Sequence, residues 1–178
     1  LWLIAPWASA SSTPPICAQR ALPACLQPFD LPANAGRMHY YASRQPGSDP
    51  DSSPKSALVV IHGHPRDANR SFDAGLHAAR QAGGLDDTLV VAPIFQVPAE
   101  QANHCNSPGL PSAQPDDATW TCASWLSGDP SQGDHPISSF AALDALVVEL
   151  KRRWPSLHTV TLAGFSAGAQ MLHHSVGF

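Results

Sequence analysis

Apolar residues occur along the chain in three short continuous runs, and each run ends at a turn-forming segment. The runs are Ala57–Ile61, Thr88–Pro93 and Thr159–Ala163. Runs of this length that are apolar on both faces and rich in β-branched residues are typical of buried strands in a parallel sheet. Arg37–Ala42 is shorter and aromatic, and we expect it to form an edge strand.

Helical periodicity lies between these runs. Ala68–Ala82 predicts one helix, and Ser138–Trp154 predicts a more regular one, because its apolar residues recur at three- and four-residue steps. Ser138 or Ser139 is suited to cap the second helix, and Pro155 marks its end. Strands that alternate with helices predict an α/β fold with a predominantly parallel sheet and flanking helices.

The segment from residue 95 to residue 136 shows neither the hydrophobic pattern of a strand nor that of a helix. It contains two tryptophans, two cysteines and many Pro, Gly, Ser and Asp residues. Such a long irregular segment inside a domain is often functional or tied by a disulfide. Because it follows the second strand run, it is expected at the carboxyl end of the sheet, where α/β proteins bind their ligands.

The N-terminus is apolar over residues 1–10 and ends in Ala-Ser-Ala, which indicates the remnant of a secretory signal peptide. Residues 11–35 are interpreted as a leader or linker, and residues 36–178 as the folded domain. A secreted or periplasmic location follows from this interpretation. The alternative for residues 1–10 is an N-terminal strand or a hydrophobic tail.

Four cysteines fall into two local groups, Cys17 with Cys25 and Cys105 with Cys122. An even number of cysteines in a secreted chain predicts two disulfides, for which three pairings are formally open. The two local pairings are favoured, because each would tie down an irregular segment.

Composition excludes several classes of partner. The chain has 178 residues, of which 43% are hydrophobic and 13% are charged, with a formal net charge of -4. This balance indicates one globular domain without a basic surface for nucleic acid. Residues 1–10 are too short to span a bilayer. No Cys-x-x-Cys spacing occurs, and the nine histidines are scattered, so neither a metal nor a cofactor is expected.

The motif Gly164-Phe165-Ser166-Ala167-Gly168 directly follows the third apolar run and directly precedes a segment with helical character. A sharp strand-to-helix turn of this kind exposes a serine hydroxyl in a strained position, and its two glycines permit close backbone packing. Ser166 is therefore the candidate nucleophile. The alternative is a plain glycine-containing turn with a solvent-facing serine.

An oxyanion hole needs two backbone N–H donors, one after the nucleophile and one from a loop after an earlier strand. Ala167 supplies the first candidate, and His64 supplies the second, because His62-Gly63-His64 follows the first apolar run. The side chains of His62 and His64 are interpreted as part of the loop structure rather than as metal ligands.

This order of motifs resembles the α/β-hydrolase superfamily, from its third strand to its nucleophile helix, over residues 57–178. It is most similar to secreted bacterial and fungal hydrolases with a Trp-rich loop, a Ser-Ser-Phe helix start and a Ser-Ala-Gly elbow. Here these features are Trp120, Trp125 and Gly128, then Ser138-Ser139-Phe140 with Asp144, then Ser166. The resemblance implies a Ser-His-acid triad that cleaves a small-molecule ester or related acyl substrate, as a carboxylesterase does.

The acid and histidine of that family follow the nucleophile in sequence. No Asp or Glu follows Ser166, and His173 and His174 lie about 10–12 Å further along the expected helix. The chain is therefore expected to be a fragment without the triad acid and histidine, and to be inactive alone. Two alternatives stay open: a rearranged triad using His104 or His135, and a non-catalytic α/β-hydrolase-like binding protein.

Overall fold

Five strands form one mixed sheet in the computed structural model, which describes residues 16–47 and 53–176. They are β1 (Leu26–Asp30), β2 (Arg37–Ala42), β3 (Ser56–Ile61), β4 (Thr88–Ile94) and β5 (Thr159–Gly164). Their order across the sheet is β1-β2-β4-β3-β5. β3, β4 and β5 form the parallel part, while β2 runs antiparallel to both β1 and β4. The predicted α/β fold is confirmed.

Three helices flank the sheet: α1 (Ala68–Gln81), α2 (Ser139–Arg153) and α3 (Ala167–Ser175). α1 packs on one face, where Phe72 and Leu76 meet alternate side chains of β4. α2 and α3 belong to the core on the other face, which contains Leu146 and Met171. Ser138 caps α2 as predicted, because its hydroxyl accepts a hydrogen bond from the Ala141 N–H at 3.0 Å.

The prediction that Arg37–Ala42 forms an edge strand is wrong. β2 is paired on both sides, because β1 covers its outer edge. β1 lies inside the 11–35 segment that the sequence suggested was a leader, so the described part of that segment contributes a strand. Pro28 lies in β1, and proline is tolerated in an edge strand because one side of such a strand makes no ladder hydrogen bonds. Residues 1–10 lie outside the described ranges.

β5 forms the opposite edge of the sheet. It pairs only with β3 among the described strands, and its side chains are partly or fully exposed along its whole length. The sequence pattern alone predicted a buried strand here, so the expected burial is not observed. Within the described ranges, no helix has both the length and the apolar character needed to cross a membrane.

The segment from 95 to 136 is irregular, as predicted, and contains only two short 3-10 helices, Ala102–His104 and Ser124–Ser127. It begins directly after β4, and isolated bridges join Gln96 to Thr119 and Arg37 to Asp117. Because β4 ends and β2 begins at the same side, the segment covers the carboxyl end of the parallel strands.

Candidate active site

Ser166 lies at the abrupt junction between β5 and α3. Its backbone has φ 54° and ψ -118°, a conformation that is strained for a residue with a side chain. The residue is exposed, and its hydroxyl makes no hydrogen bond to any described residue. The structure therefore places the predicted nucleophile on a sharp strand-to-helix turn with a free hydroxyl.

The two glycines of the motif are required by close backbone contacts. A Cβ at Gly164 would lie 2.5 Å from the carbonyl of Gly168, and a Cβ at Gly168 would lie 2.4 Å from the oxygen of Ile61. Neither distance is compatible with a side chain. The first turn of α3 is thus pressed against both the end of β5 and the end of β3, which brings the turn after β3 beside Ser166.

The turn after β3 comprises His62 to Asp67, and both backbone groups of Gly63 are paired. Gly63 N–H donates to the Asp67 carboxylate at 3.0 Å, and Gly63 O accepts from Arg66 N–H at 3.0 Å. Gly63 lies close to the elbow, since a Cβ there would be 3.9 Å from Phe165 O. In contrast, the His64 N–H donates to no residue in the described part of the chain.

Ala167 begins α3, and its N–H also has no hydrogen-bond partner among the residues that the structure describes. The first N–H groups of a helix have no intrahelical acceptor and carry the positive end of the helix dipole. His64 and Ala167, the two predicted oxyanion donors, therefore lie on neighbouring backbone segments with both N–H groups available.

His62 is fully buried, although the sequence indicated only that it belongs to the loop. Its Nδ1 lies 2.9 Å from Gly63 O, and its Nε2 accepts a hydrogen bond from Phe95 N–H at 3.2 Å. Burial lowers the pKa of His62 to about 4, and the pairing with Gly63 opposes this shift. The imidazole is therefore neutral at neutral pH.

Aromatic rings surround His62. The Trp125 ring packs at 4.6 Å between centroids in an edge-on arrangement, and the Phe95 ring packs at 5.8 Å. Trp120 and Trp125 are both buried, and their indole N–H groups donate to the Asp129 and Cys122 carbonyls at 3.1 and 3.0 Å. These tryptophans anchor the 95–136 segment to the sheet and do not form an exposed cleft.

Arg66 ties the same segment to the turn after β3. Its side chain is buried and donates to Cys105 O, Gln96 Oε1 and Asn106 Oδ1 at 3.1, 2.9 and 3.2 Å. All three acceptors are neutral, and burial lowers the pKa of the guanidinium. Nothing in the sequence around Arg66 distinguishes it from an exposed loop arginine, so the burial of its side chain was not predicted.

Both predicted disulfide pairings are confirmed. Cys17 is bonded to Cys25, and Cys105 is bonded to Cys122. The second bond lies within the long segment. It joins Cys105, whose carbonyl accepts from Arg66, to Cys122, whose carbonyl accepts from the Trp125 indole.

No histidine among the described residues hydrogen-bonds Ser166. His173 and His174 are exposed on α3, where His174 contacts Leu126 O at 3.3 Å, and His104 and His135 are exposed on the long segment. The described residues also contain no group of three or more His, Cys, Asp or Glu side chains placed to hold a metal ion.

One histidine–carboxylate pair was not found from the sequence. His39 on β2 and Asp117 lie 3.3 Å apart, both largely buried, and burial raises the pKa of Asp117. β2 is three strand positions from β5, which corresponds to about 14 Å at the usual spacing. The pair is therefore too far from Ser166 to activate it, and instead links β2 to the long segment.

Comparisons with known proteins give matches at the level of structure. No protein-family model matches the sequence, and no curated protein sequence does. The chain is similar to poly(aspartic acid) hydrolase-1 from Sphingomonas sp. KT-1, with a TM-score of 0.50 and 20% identity over 85% of this chain and 50% of that chain. It is also similar to LpqC, a poly(3-hydroxybutyrate) depolymerase from Bordetella parapertussis, with a TM-score of 0.51 and 18% identity over 91% of this chain and 50% of that chain. The chain thus spans about half the length of these two proteins.

Proposed function

We propose that this chain, which has the α/β-hydrolase fold, is the nucleophile-bearing part of a secreted or periplasmic serine hydrolase of the carboxylesterase type. The conformation of Ser166 carries the proposal. A strained backbone at an exposed serine costs on the order of 1–3 kcal/mol. No hydrogen bond from the Ser166 hydroxyl to a described residue offsets this cost. Strain of this kind at a strand-to-helix turn is typical of a nucleophile elbow.

In the proposed reaction, the Ser166 hydroxyl oxygen attacks the acyl carbon of an ester or related substrate. The negative charge that develops on the carbonyl oxygen is stabilised by the N–H groups of His64 and Ala167. The serine proton passes to a histidine and then to the departing alcohol, which leaves an acyl-enzyme on Ser166. Water then attacks the acyl carbon of the acyl-enzyme, the bond to the Ser166 oxygen breaks to release the carboxylic acid, and Ser166 recovers a proton through the same histidine.

The general base and its acid partner are proposed to come from residues outside this chain. Three observations support this: no described histidine hydrogen-bonds Ser166, the His39–Asp117 pair is three strands away, and the two similar structures are about twice as long. The exposed outer edge of β5 is the place where further strands would continue the sheet.

Secretion and substrate class rest on separate observations. Two disulfides are typical of proteins that fold in an oxidising compartment. The names of the two similar structures, a hydrolase of poly(aspartic acid) and a depolymerase of poly(3-hydroxybutyrate), agree with hydrolysis of acyl linkages. The proposal extends to small-molecule esters and related acyl compounds, and not to either polymer.

The proposal is tested with the full-length gene product by nitrophenyl ester hydrolysis and by labelling with a fluorophosphonate probe. We expect the probe to modify Ser166, and Ser166→Ala to lower kcat at least about 10³-fold, as loss of a triad nucleophile does. Ser175→Ala in the same helix is the matched control, because its hydroxyl only donates to Leu172 O. That variant should retain wild-type turnover.

The free Ser166 hydroxyl also favours a second candidate, a non-catalytic binding protein that retains the elbow. A folded full-length protein whose Ser166 resists the probe would support this candidate over the hydrolase. Turnover by the 178-residue chain alone would instead contradict the proposed external base. His104→Ala and His135→Ala would then identify which loop histidine serves.

A further inference from the structure

We propose that His62 is a positioning residue of the oxyanion hole, whose imidazole orients the Gly63–His64 peptide so that the His64 N–H is presented to the reacting oxygen. This inference rests on the proposed hydrolase function of Ser166. It assigns a role to a buried side chain that does not itself touch the substrate.

The hydrogen bonds of His62 determine its tautomer. Phe95 N–H is a donor, so the Nε2 that faces it must be unprotonated. A neutral imidazole carries one proton, which therefore lies on Nδ1 and is donated to Gly63 O. The ring thus joins the backbone after β3 to the backbone after β4 in only one protonation state.

The orientation of Gly63 O fixes the orientation of the next N–H. All peptide bonds of the described residues are trans, so the carbonyl of Gly63 and the N–H of His64 point in opposite directions in one plane. The carbonyl is held toward the buried ring of His62 and also accepts from Arg66 N–H. The His64 N–H is consequently directed away from the interior.

The remaining contacts make this arrangement rigid. Gly63 N–H is held by Asp67, and the imidazole is packed between Trp125 and Phe95, so neither the turn nor the ring can rotate freely. Charged groups near the ring are Asp67 and Arg66. Of the two N–H groups of Gly63 and His64, only that of His64 has no hydrogen-bond acceptor within the described part of the chain, and it is directed outward.

The experiment compares His62→Phe and His62→Asn in the full-length gene product. Phenylalanine keeps a ring in the aromatic cluster but removes both hydrogen bonds. Asparagine places an amide near the position of Nδ1 and can still donate to Gly63 O. We expect His62→Phe to lower kcat about 10- to 100-fold with KM changed less than about threefold, because an oxyanion donor acts mainly in the transition state. His62→Asn should recover much of the loss.

A second readout separates positioning from general destabilisation. An alkyl boronic acid, which forms a tetrahedral anionic adduct with serine, should lose affinity for His62→Phe in parallel with kcat/KM, while the affinity for the product acid stays unchanged. Leu76→Ala is the control, since it opens a cavity in the core on the other face of the sheet. It should lower the melting temperature without changing the ratio of the two affinities.

Wild-type protein provides a measurement that does not depend on the variants folding. Nitrogen-15 NMR of the histidine rings should show His62 protonated at Nδ1 and not at Nε2 near neutral pH. Protonation at Nε2, or unchanged kcat and boronate affinity in a folded His62→Phe protein, would overturn the role of His62 alone. An unreactive Ser166 in the wild-type protein would overturn the proposed function as well.

Discussion

Gly164 and Gly168 show how single residues set the geometry of the candidate site. The contacts that exclude a Cβ at these positions are with backbone atoms, which cannot move aside as a flexible side chain could. The two glycines therefore allow α3 to begin in contact with the ends of β3 and β5. Without that approach, Ala167 and the turn that contains His64 would be further apart.

We expect Gly168→Ala to destabilise the full-length gene product by about 2 kcal/mol or more, because overpacking a rigid site costs about 1–3 kcal/mol and the clash here is with Ile61 O and His62 O. Gly84→Ala is the matched control. A Cβ at Gly84 would make an ordinary contact, 3.6 Å from Thr88 Oγ1. Denaturant unfolding of both variants measures the difference, and equal stabilities would contradict the close approach.

At the scale of elements, the irregular segment from 95 to 136 is held in place by a few long-range ties. The Arg66 side chain ties it to the turn after β3, the rings of Trp120 and Trp125 pack into the core, and the Cys105–Cys122 disulfide joins two parts of the segment to each other. Gly128 completes the packing, since the Phe140 ring of α2 occupies the space beside its Cα. Loss of one of these interactions should therefore change the position of the turn that contains His64.

The two disulfides offer a matched comparison. Replacing both Cys105 and Cys122 by serine should lower the free energy of unfolding by about 3 kcal/mol and should also slow fluorophosphonate labelling of Ser166 in the full-length product. Replacing Cys17 and Cys25 should lower stability without slowing the labelling, because that bond lies in the core cluster on the α1 face. Equal effects on labelling would argue against coupling through the long segment.

At the scale of the whole molecule, the sheet is covered unequally at its two edges. β1, a short strand that contains a proline, forms one edge, whereas the outer edge of β5 pairs with no other described strand and carries an exposed Leu162. Phe165 at the elbow and Val176 after α3 are also exposed. An uncovered strand edge of this kind promotes pairing with other chains.

The 178-residue chain expressed alone is therefore expected to self-associate through β5. Leu162→Lys should reduce the self-association, because a charge on an edge strand opposes strand pairing. Val148→Lys on α2 is the control, since Val148 is also apolar and exposed but does not lie on the sheet edge. Sedimentation velocity measures the outcome, and a monomeric wild-type chain with cooperative unfolding would refute the expectation.

Much of the fold follows from local sequence patterns. The three apolar runs became β3, β4 and β5 and the two periodic segments became α1 and α2, because strand and helix periodicity are properties of a few consecutive residues. β1 was missed, since its five residues include a proline and no alternating pattern. The edge position assigned to β2 was wrong for the same reason: the neighbour that covers it could not be recognised.

The sequence by itself determined the candidate nucleophile, since a glycine-flanked serine between a strand and a helix is a local signal. Only the tertiary structure decided what surrounds it. His62 is buried and held by Phe95, which is distant along the chain, and Arg66 reaches Cys105 across a similar separation. Burial and hydrogen bonding depend on which segments meet in space, and a local pattern carries no information about such meetings.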